Sequence, residues 1–245
     1  GKEVDAQGKA KEILAQLASV ERGVVLPYLH AAPVAGVGLE EFIAPYTAHD
    51  IRFEQVEFNH PLYILYSSGT TGVPKCIVHG TGGTLLQHLK EHRLHSDVRP
   101  GDRLFYFTTL GWMMWNWLVS GLASGAALLL YDGSPFIGRG KLMFDFAEAE
   151  GMTHFGTSAK FIDAIAKFNL KPKDTHRLER LRVILSTGSP LVAEGFDYVY
   201  SNIKDDVCLS SISGGTDIVS CFVLGNPMLP VWRGEIQCKG LGLAI

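Results

Sequence analysis

Cysteine is scarce: Cys76, Cys208, Cys221 and Cys238 are the only four in a chain of 245 residues. No two of them form a C-x-x-C pair. That excludes the usual zinc-knuckle spacing, and four thiols in a chain this long do not make a disulfide framework. They read as reduced thiols, and we expect a cytoplasmic protein. Charge is modest as well. Charged residues make up 19% of the chain and the formal net charge is -3, so no basic field draws nucleic acid or an anionic membrane. Nor do basic and aromatic residues interleave as a single-strand binder would need. Internal repeats and low-complexity tracts are lacking. So are an initial Met and a signal-peptide pattern: the sequence opens on "GKEVDAQGKA" and stops on "CKGLGLAI". We expect a piece excised from a longer polypeptide.

What is present is apolar. Hydrophobic residues make up 47% of the chain, ordinary for a folded domain and too much for wholesale disorder. The uncharged stretch Phe105 to Tyr131 invites a membrane reading. Gly111, Asn116, Ser120, Gly121, Ser124 and Gly125 interrupt it, and no Lys or Arg cluster flanks it. It reads better as a buried helix, a Gly turn and a buried strand.

Elsewhere, short apolar runs alternate with helical patterns. "KAKEILAQLASV" is helical and "GVVLPYL" strand-like; 36–59 is irregular. "LYILY", "CIVH", "RLFYF", "AALLLY", "THFG" and "RVILS" read as strands. "TLLQHLKEHRLH", "MMWNWLVSGL", "KLMFDFAEAE", "SAKFIDAIAKF" and "VAEGFDYVYS" read as helices. Buried strands separated by helices predict an α/β fold, a largely parallel sheet covered by helices on both faces. We expect residues 1–245 to form one such domain. Ligands then belong beyond the carboxyl ends of strands, and "LYILY" delivers the next segment there.

That segment is "YSSGTTGVPK", residues 66 to 75. Gly69 and Gly72 permit positive φ and close approach of a ligand. Small neighbours leave backbone N–H groups bare, and such nests bind anions. Ser67, Ser68, Thr70 and Thr71 add hydroxyls, Lys75 adds a mobile positive charge, and Pro74 restrains the exit. The stretch reads as a polyphosphate cradle or, equally on composition, as a solvated connector. It is not the G-x-x-x-x-G-K-[ST] loop, because Cys76 follows Lys75.

The order [ST]-[ST]-G-[ST]-T-G-x-P-K resembles the phosphate loop of the adenylate-forming enzymes, which include acyl-CoA synthetases, luciferases and peptide-synthetase adenylation domains. Cys76 stands where that family usually has Gly. The resemblance runs on through "FGTSAKFIDA", "ILSTGSPL", "SSISGGTDIVSCF" and "PVWRGEIQCKGLG", weakest before residue 60. It implies part of the family's large N-terminal, AMP-binding domain. It also implies a two-step reaction: a carboxylate attacks the α-phosphate of ATP, pyrophosphate leaves, and coenzyme A then takes the acyl group from the adenylate. The small C-terminal domain needed for catalysis, the ribose-binding Asp and a hinge Arg would lie beyond Ile245. The piece alone should be nearly inactive.

Residue by residue, the resemblance implies that Ser67, Ser68, Gly69, Thr70, Thr71, Gly72 and Lys75 hold the β- and γ-phosphates. Thr216 would donate to a phosphate and Asp217, in place of a common Glu, would bind Mg²⁺, directly or through water. Lys75, Thr216 and Asp217 would be the catalytic set. Gly188, Ser189 and Pro190 would lie along adenine, with Ser211, Ile212 and Ser213 opposite. Gly214 stands where acetate-specific relatives carry a bulky Trp, which implies a longer acyl pocket lined by Trp112, Met113, Met114 and Thr187. The implied acid is four-carbon acetoacetate. Acetate, propionate or butyrate are alternatives with the same chemistry, and a non-catalytic nucleotide-binding module is an alternative of another class. Core packing is the competing account of "GWMMWNW", and we favour it for Met113, Trp115 and Trp117.

"HLKEH" at 88 to 92 matches H-x-x-E-H, and His95 lies one turn on. The pattern is short and the helix is as rich in charge as a solvated face, so we expect no zinc there. His79 and His154 read as structural histidines satisfied by hydrogen bonds.

Overall fold

The structure, a computed structural model, describes residues 6–26, 36–67 and 72–245. Two compact units divide the chain, residues 1–55 and 56–245. In the first, helix α1 (Gln7–Gln16) precedes two short parallel strands, β1 (Val24–Val25) and β2 (Val37–Gly38), and helix α2 (Leu39–Ile43) follows β2 directly. Of "GVVLPYL", only the start falls on described residues.

The second unit opens with strands β3 (Pro61–Ser67) and β4 (Lys75–Gly80), followed by helix α3 (Thr81–Lys90). Strand and helix then alternate: β5 (Arg103–Tyr106), α4 (Met113–Ser120), β6 (Ala127–Leu129), α5 (Lys141–Ala149), β7 (His154–Ser158), α6 (Ala159–Lys167), β8 (Val183–Thr187), α7 (Ala193–Tyr198) and β9 (Cys208–Ser211). These five strands form one parallel sheet in the order β6-β5-β7-β8-β9. An antiparallel sheet of β10 (Ser213–Gly215), β11 (Ser220–Leu224) and β12 (Cys238–Lys239) ends the unit.

Successive residues of a strand point to opposite faces, so a strand covered on both sides must be apolar throughout. Leu104, Phe105 and Tyr106 show this in three consecutive positions. Phe105 joins Phe155, Ile184 and Leu209 on one face, where Phe144 of α5, Phe161 of α6 and Phe196 of α7 pack. Leu104 and Tyr106 join Val183 and Leu185 on the other, under Trp117 and Leu118 of α4. The expected parallel sheet with helices on both faces is therefore present. Ser158, the last residue of β7, caps α6 through its Oγ, which accepts from Phe161 N–H at 3.2 Å. Strand passes to helix there without a loop.

One expectation fails. "LYILY" is not a strand of the parallel sheet: β3 and β4 make a separate antiparallel hairpin, Ser67 opposite Lys75. The connection, residues 68–74, is shorter than the crossover of roughly a dozen residues that parallel pairing needs. The uncharged stretch from Phe105 to Tyr131 resolves into the end of β5, α4 and β6. No helix among the described residues is long and apolar enough to cross a membrane.

The larger core depends on stacked aromatic rings. Phe144 lies 5.8 Å from Phe155 and 6.5 Å from Phe161, ring centre to ring centre. Replacing Phe144 by Ala leaves a cavity in a packed interior and should cost about 3–5 kcal/mol of unfolding free energy. Urea denaturation followed by fluorescence measures this, with the slope unchanged.

Candidate functional site

The hairpin pairs Ser67 with Lys75 at the end next to its connecting loop. Ser68, Gly69, Thr70 and Thr71 lie outside the described residues. Gly72 has φ +105°, and a Cβ built on it would meet nothing within 4 Å among the described residues. The position thus has the conformation and the open space that approach of a ligand to the backbone requires. Lys75 is exposed at the first residue of β4.

Four residues further along β4, His79 turns to the far end of the chain. Its Nε2–H donates to the carbonyl of Thr216 across 2.8 Å. Thr216 and Asp217 open a tight turn between β10 and β11, closed by Val219 N–H to Thr216 O at 3.2 Å. Asp217 is exposed and Thr216 half-buried. Val219, at the last position, is buried and held at φ +48°, a region that costs a β-branched residue roughly 1–3 kcal/mol. Its carbonyl accepts from His88 Nε2–H at 2.7 Å. A cleft of about 310 Å³ lies between β4 and this turn, bounded by Asn59, His79, Gly83, Thr84 and Ile218.

The remaining nucleotide candidates gather at the carboxyl ends of β8 and β9. Thr187 Oγ1 donates to Ile212 O at 3.1 Å, and Ile212 N–H donates to Ser186 O at 2.8 Å. Gly188, Ser189 and Pro190 follow β8 as an exposed bend, Gly188 at φ +90°. Ser211 and Ile212 are buried, and Ser213 is exposed where β10 begins. Adjacent parallel strands thus end side by side, one in "TGSP" and one in "SIS".

The acyl-pocket residues are placed less coherently. Trp112 is 59% exposed before α4, while Met113, Met114 and Trp115 pack on the smaller core cluster. At Gly214, a Cβ would stand 2.2 Å from Ser220 O, across a register shift between β10 and β11. The backbone of β11 fills the side on which an indole would begin, so close strand packing accounts for this glycine. A cavity of about 470 Å³ that the sequence did not suggest opens instead between the ends of β5 and β6, lined by Phe107, Thr108, Leu110, Trp115 and Tyr131.

The "HLKEH" helix is not a solvated face. His88, Glu91 and His92 are 0% exposed. A wide π-helical turn over Glu91–His95, marked by Ser96 N–H to Glu91 O at 2.9 Å, buries Glu91, His92 and His95 and leaves Arg93 and Leu94 exposed. Each imidazole points to its own partner: His88 to Val219 O and Ser120 Oγ, His92 to Trp117 O, and His95 to Gly225 O and Leu241 N–H. They do not converge on a common point. Glu91 is bonded all round: Trp117 Nε1–H donates to Oε2 at 2.9 Å, while Cys221 N–H at 3.0 Å and the Ser220 hydroxyl donate to Oε1. His79 and His154 are satisfied by hydrogen bonds as expected, His154 through Ser96 O and Thr153 Oγ1.

Metal fit follows from the donor set. Among the described residues no three His, Cys, Asp or Glu side chains converge as a metal cage. A lone exposed Asp217 suits Mg²⁺ carried on a polyphosphate, which needs only one or two protein carboxylates.

A five-stranded parallel sheet with helices on both faces defines an α/β domain, of the kind that takes ligands beyond the carboxyl ends of its strands. The model of the AMP-binding enzyme family matches residues 2–208, and the chain belongs to that family. It is 60% identical to acetoacetyl-coenzyme A synthetase of Rhizobium meliloti (strain 1021) and 47% identical to acetoacetyl-CoA synthetase of Gallus gallus, in each case over 100% of this chain. The chain spans 38% of the length of each of these relatives. A solved acetoacetyl-CoA synthetase from Streptomyces lividans superposes with a TM-score of 0.92 at 42% identity, covering 99% of this chain and 38% of that one.

Burial lowers the pKa of His88, His95 and His154, and that of His92 to about 3, because the charged imidazolium loses its water. In the unfolded chain these rings titrate near 6.5. The unfolded state therefore binds more protons below that pH, so the stability is complete above pH 6.5 and falls on acidification toward pH 3. Each ring contributes up to about 1.4 kcal/mol per pH unit to the fall. Urea midpoints at pH 7 and pH 5 should show it, and His92→Leu should flatten the slope.

Proposed function

We propose that this chain forms the nucleotide-binding core of an AMP-forming acid–thiol ligase that joins acetoacetate to coenzyme A. It would be the central part of the enzyme's large N-terminal domain, completed by a small C-terminal domain. The observation that carries the reading is the bond from His79 to Thr216 O, which joins the strand carrying Lys75 to the turn carrying Asp217. On this reading the cation, the hydroxyl and the carboxylate would face one polyphosphate.

A carboxylate and a triphosphate are both anions, so attack by one on the other needs fixed positive charge and alignment more than a covalent protein group. Lys75 would neutralise the β- and γ-phosphates. The hydroxyls of Ser67, Ser68, Thr70 and Thr71, and the amides up to Gly72, would hold them still. Thr216 would donate its hydroxyl to a phosphate oxygen. Asp217 would hold Mg²⁺, which when bound draws charge off the leaving pyrophosphate. Thr187 and Gly188 to Pro190 would flank the adenine with Ser211 to Ser213, leaving the α-phosphate toward the acid. Trp112, Met113, Met114 and Thr187 would bound the acid. After pyrophosphate leaves, the thiolate of coenzyme A attacks the acyl carbonyl and AMP departs. The names of the relatives support acetoacetate, and a relative called malonamoyl-CoA synthetase, 44% identical, supports a small polar acid in the same place.

ATP–pyrophosphate exchange by the complete enzyme tests the reading. Acetoacetate should support it at least about tenfold better than acetate, and a reversed preference would change the acid. Lys75→Ala should raise the KM for ATP about tenfold or more, through loss of a charge-assisted contact. Unchanged kinetics would remove Lys75 from the site.

A further inference from the structure

We infer that His79 and His88 are positioning residues that together hold the Thr216–Val219 turn in the shape that aims Thr216 and Asp217; the aim toward magnesium nucleotide rests on the ligase reading above. The turn is gripped at both ends. Its first carbonyl, of Thr216, accepts from His79 across 2.8 Å, and its last, of Val219, accepts from His88 across 2.7 Å. Between these anchors stands the exposed Asp217. The turn's own closing bond, at 3.2 Å, ends on the same Thr216 oxygen that His79 occupies.

An external hold is needed because of Val219. A β-branched residue at φ +48° is strained, and strain persists only where surrounding contacts fix it. Freed of His88, the peptide at Val219 would relax toward negative φ and swing the residues before it. Asp217 has a short side chain with little reach to compensate. The two donors come from different elements, β4 and α3, so tilt and shift are both restrained. Burial keeps His88 neutral, with Nε2 carrying the proton and Nδ1 facing Ser120 Oγ at 2.6 Å. The imidazole is thereby fixed as a donor to the turn.

The test replaces each histidine in the complete enzyme by Leu, which keeps bulk and loses the donor, and by Gln, whose amide N–H reaches nearly as far as Nε2–H. Without nucleotide, amide deuterium uptake over 213–220 should quicken about tenfold in H79L and H88L, the cost of one lost hydrogen bond. The Mg²⁺ concentration for half-maximal ATP–pyrophosphate exchange should rise by a similar factor, with kcat at saturating Mg²⁺ changing less. H79Q and H88Q should bring both values back. His79 is only half-buried, so H79L keeps the test usable if the loss of buried His88 unfolds the chain. Folded H79L with unchanged uptake and unchanged Mg²⁺ requirement overturns the inference, as does a loss that Gln fails to restore. If the unsubstituted enzyme is silent with acetoacetate, the ligase reading falls, and deuterium uptake alone decides the hold on the turn.

Discussion

A carboxylate taken wholly out of water must be solvated by the protein, and Glu91 is. Its oxygens receive the indole N–H of Trp117, the backbone N–H of Cys221 and the hydroxyl of Ser220, while Gln87 donates at 3.2 Å. Three elements, α3 with its π-helical turn, α4 and β11, are thus fixed to one another. A buried charge with any of these partners removed costs several kcal/mol. The geometry around it is therefore held far more tightly than apolar contacts alone would hold it. The nucleotide candidates inherit that rigidity, since Ser220 follows directly on the turn that bears Asp217.

The second constraint is the two-sided sheet. Because β5, β7 and β8 are covered on both faces, their consecutive apolar residues were legible from sequence, as were the helices between them. The pairing of β3 with β4 was less so. "LYILY" carries the same apolar letters as a buried parallel strand, yet Leu62, Ile64 and Tyr66 stand exposed in a hairpin. Composition could not tell the two apart; the short connection could have.

Legibility of the site divides along similar lines. Gly72, Lys75 and Asp217 could be singled out from sequence because each stands in a short contiguous motif. Residues whose role depends on contacts across the chain could not. "HLKEH" looked solvated because charge usually is. Nothing local states that Val219, Ser220 and Trp117 will arrive to satisfy it. Gly214 was read as space for a substrate, but the structure gives that space to the backbone of β11. A glycine without a side chain says that something comes close, not what.

The bond between His79 and Thr216 spans 137 positions of sequence. The hairpin closes locally and can form as soon as it leaves the ribosome, whereas the turn it grips is translated on the order of ten seconds later at 5–20 residues per second. The five-stranded sheet must be threaded in that interval, with β5 waiting between β6 and β7 for partners on either side. A nascent chain therefore carries its glycine-rich loop long before the turn arrives, and the hold of His79 on Thr216 can form only once nearly the whole of this region has been synthesised.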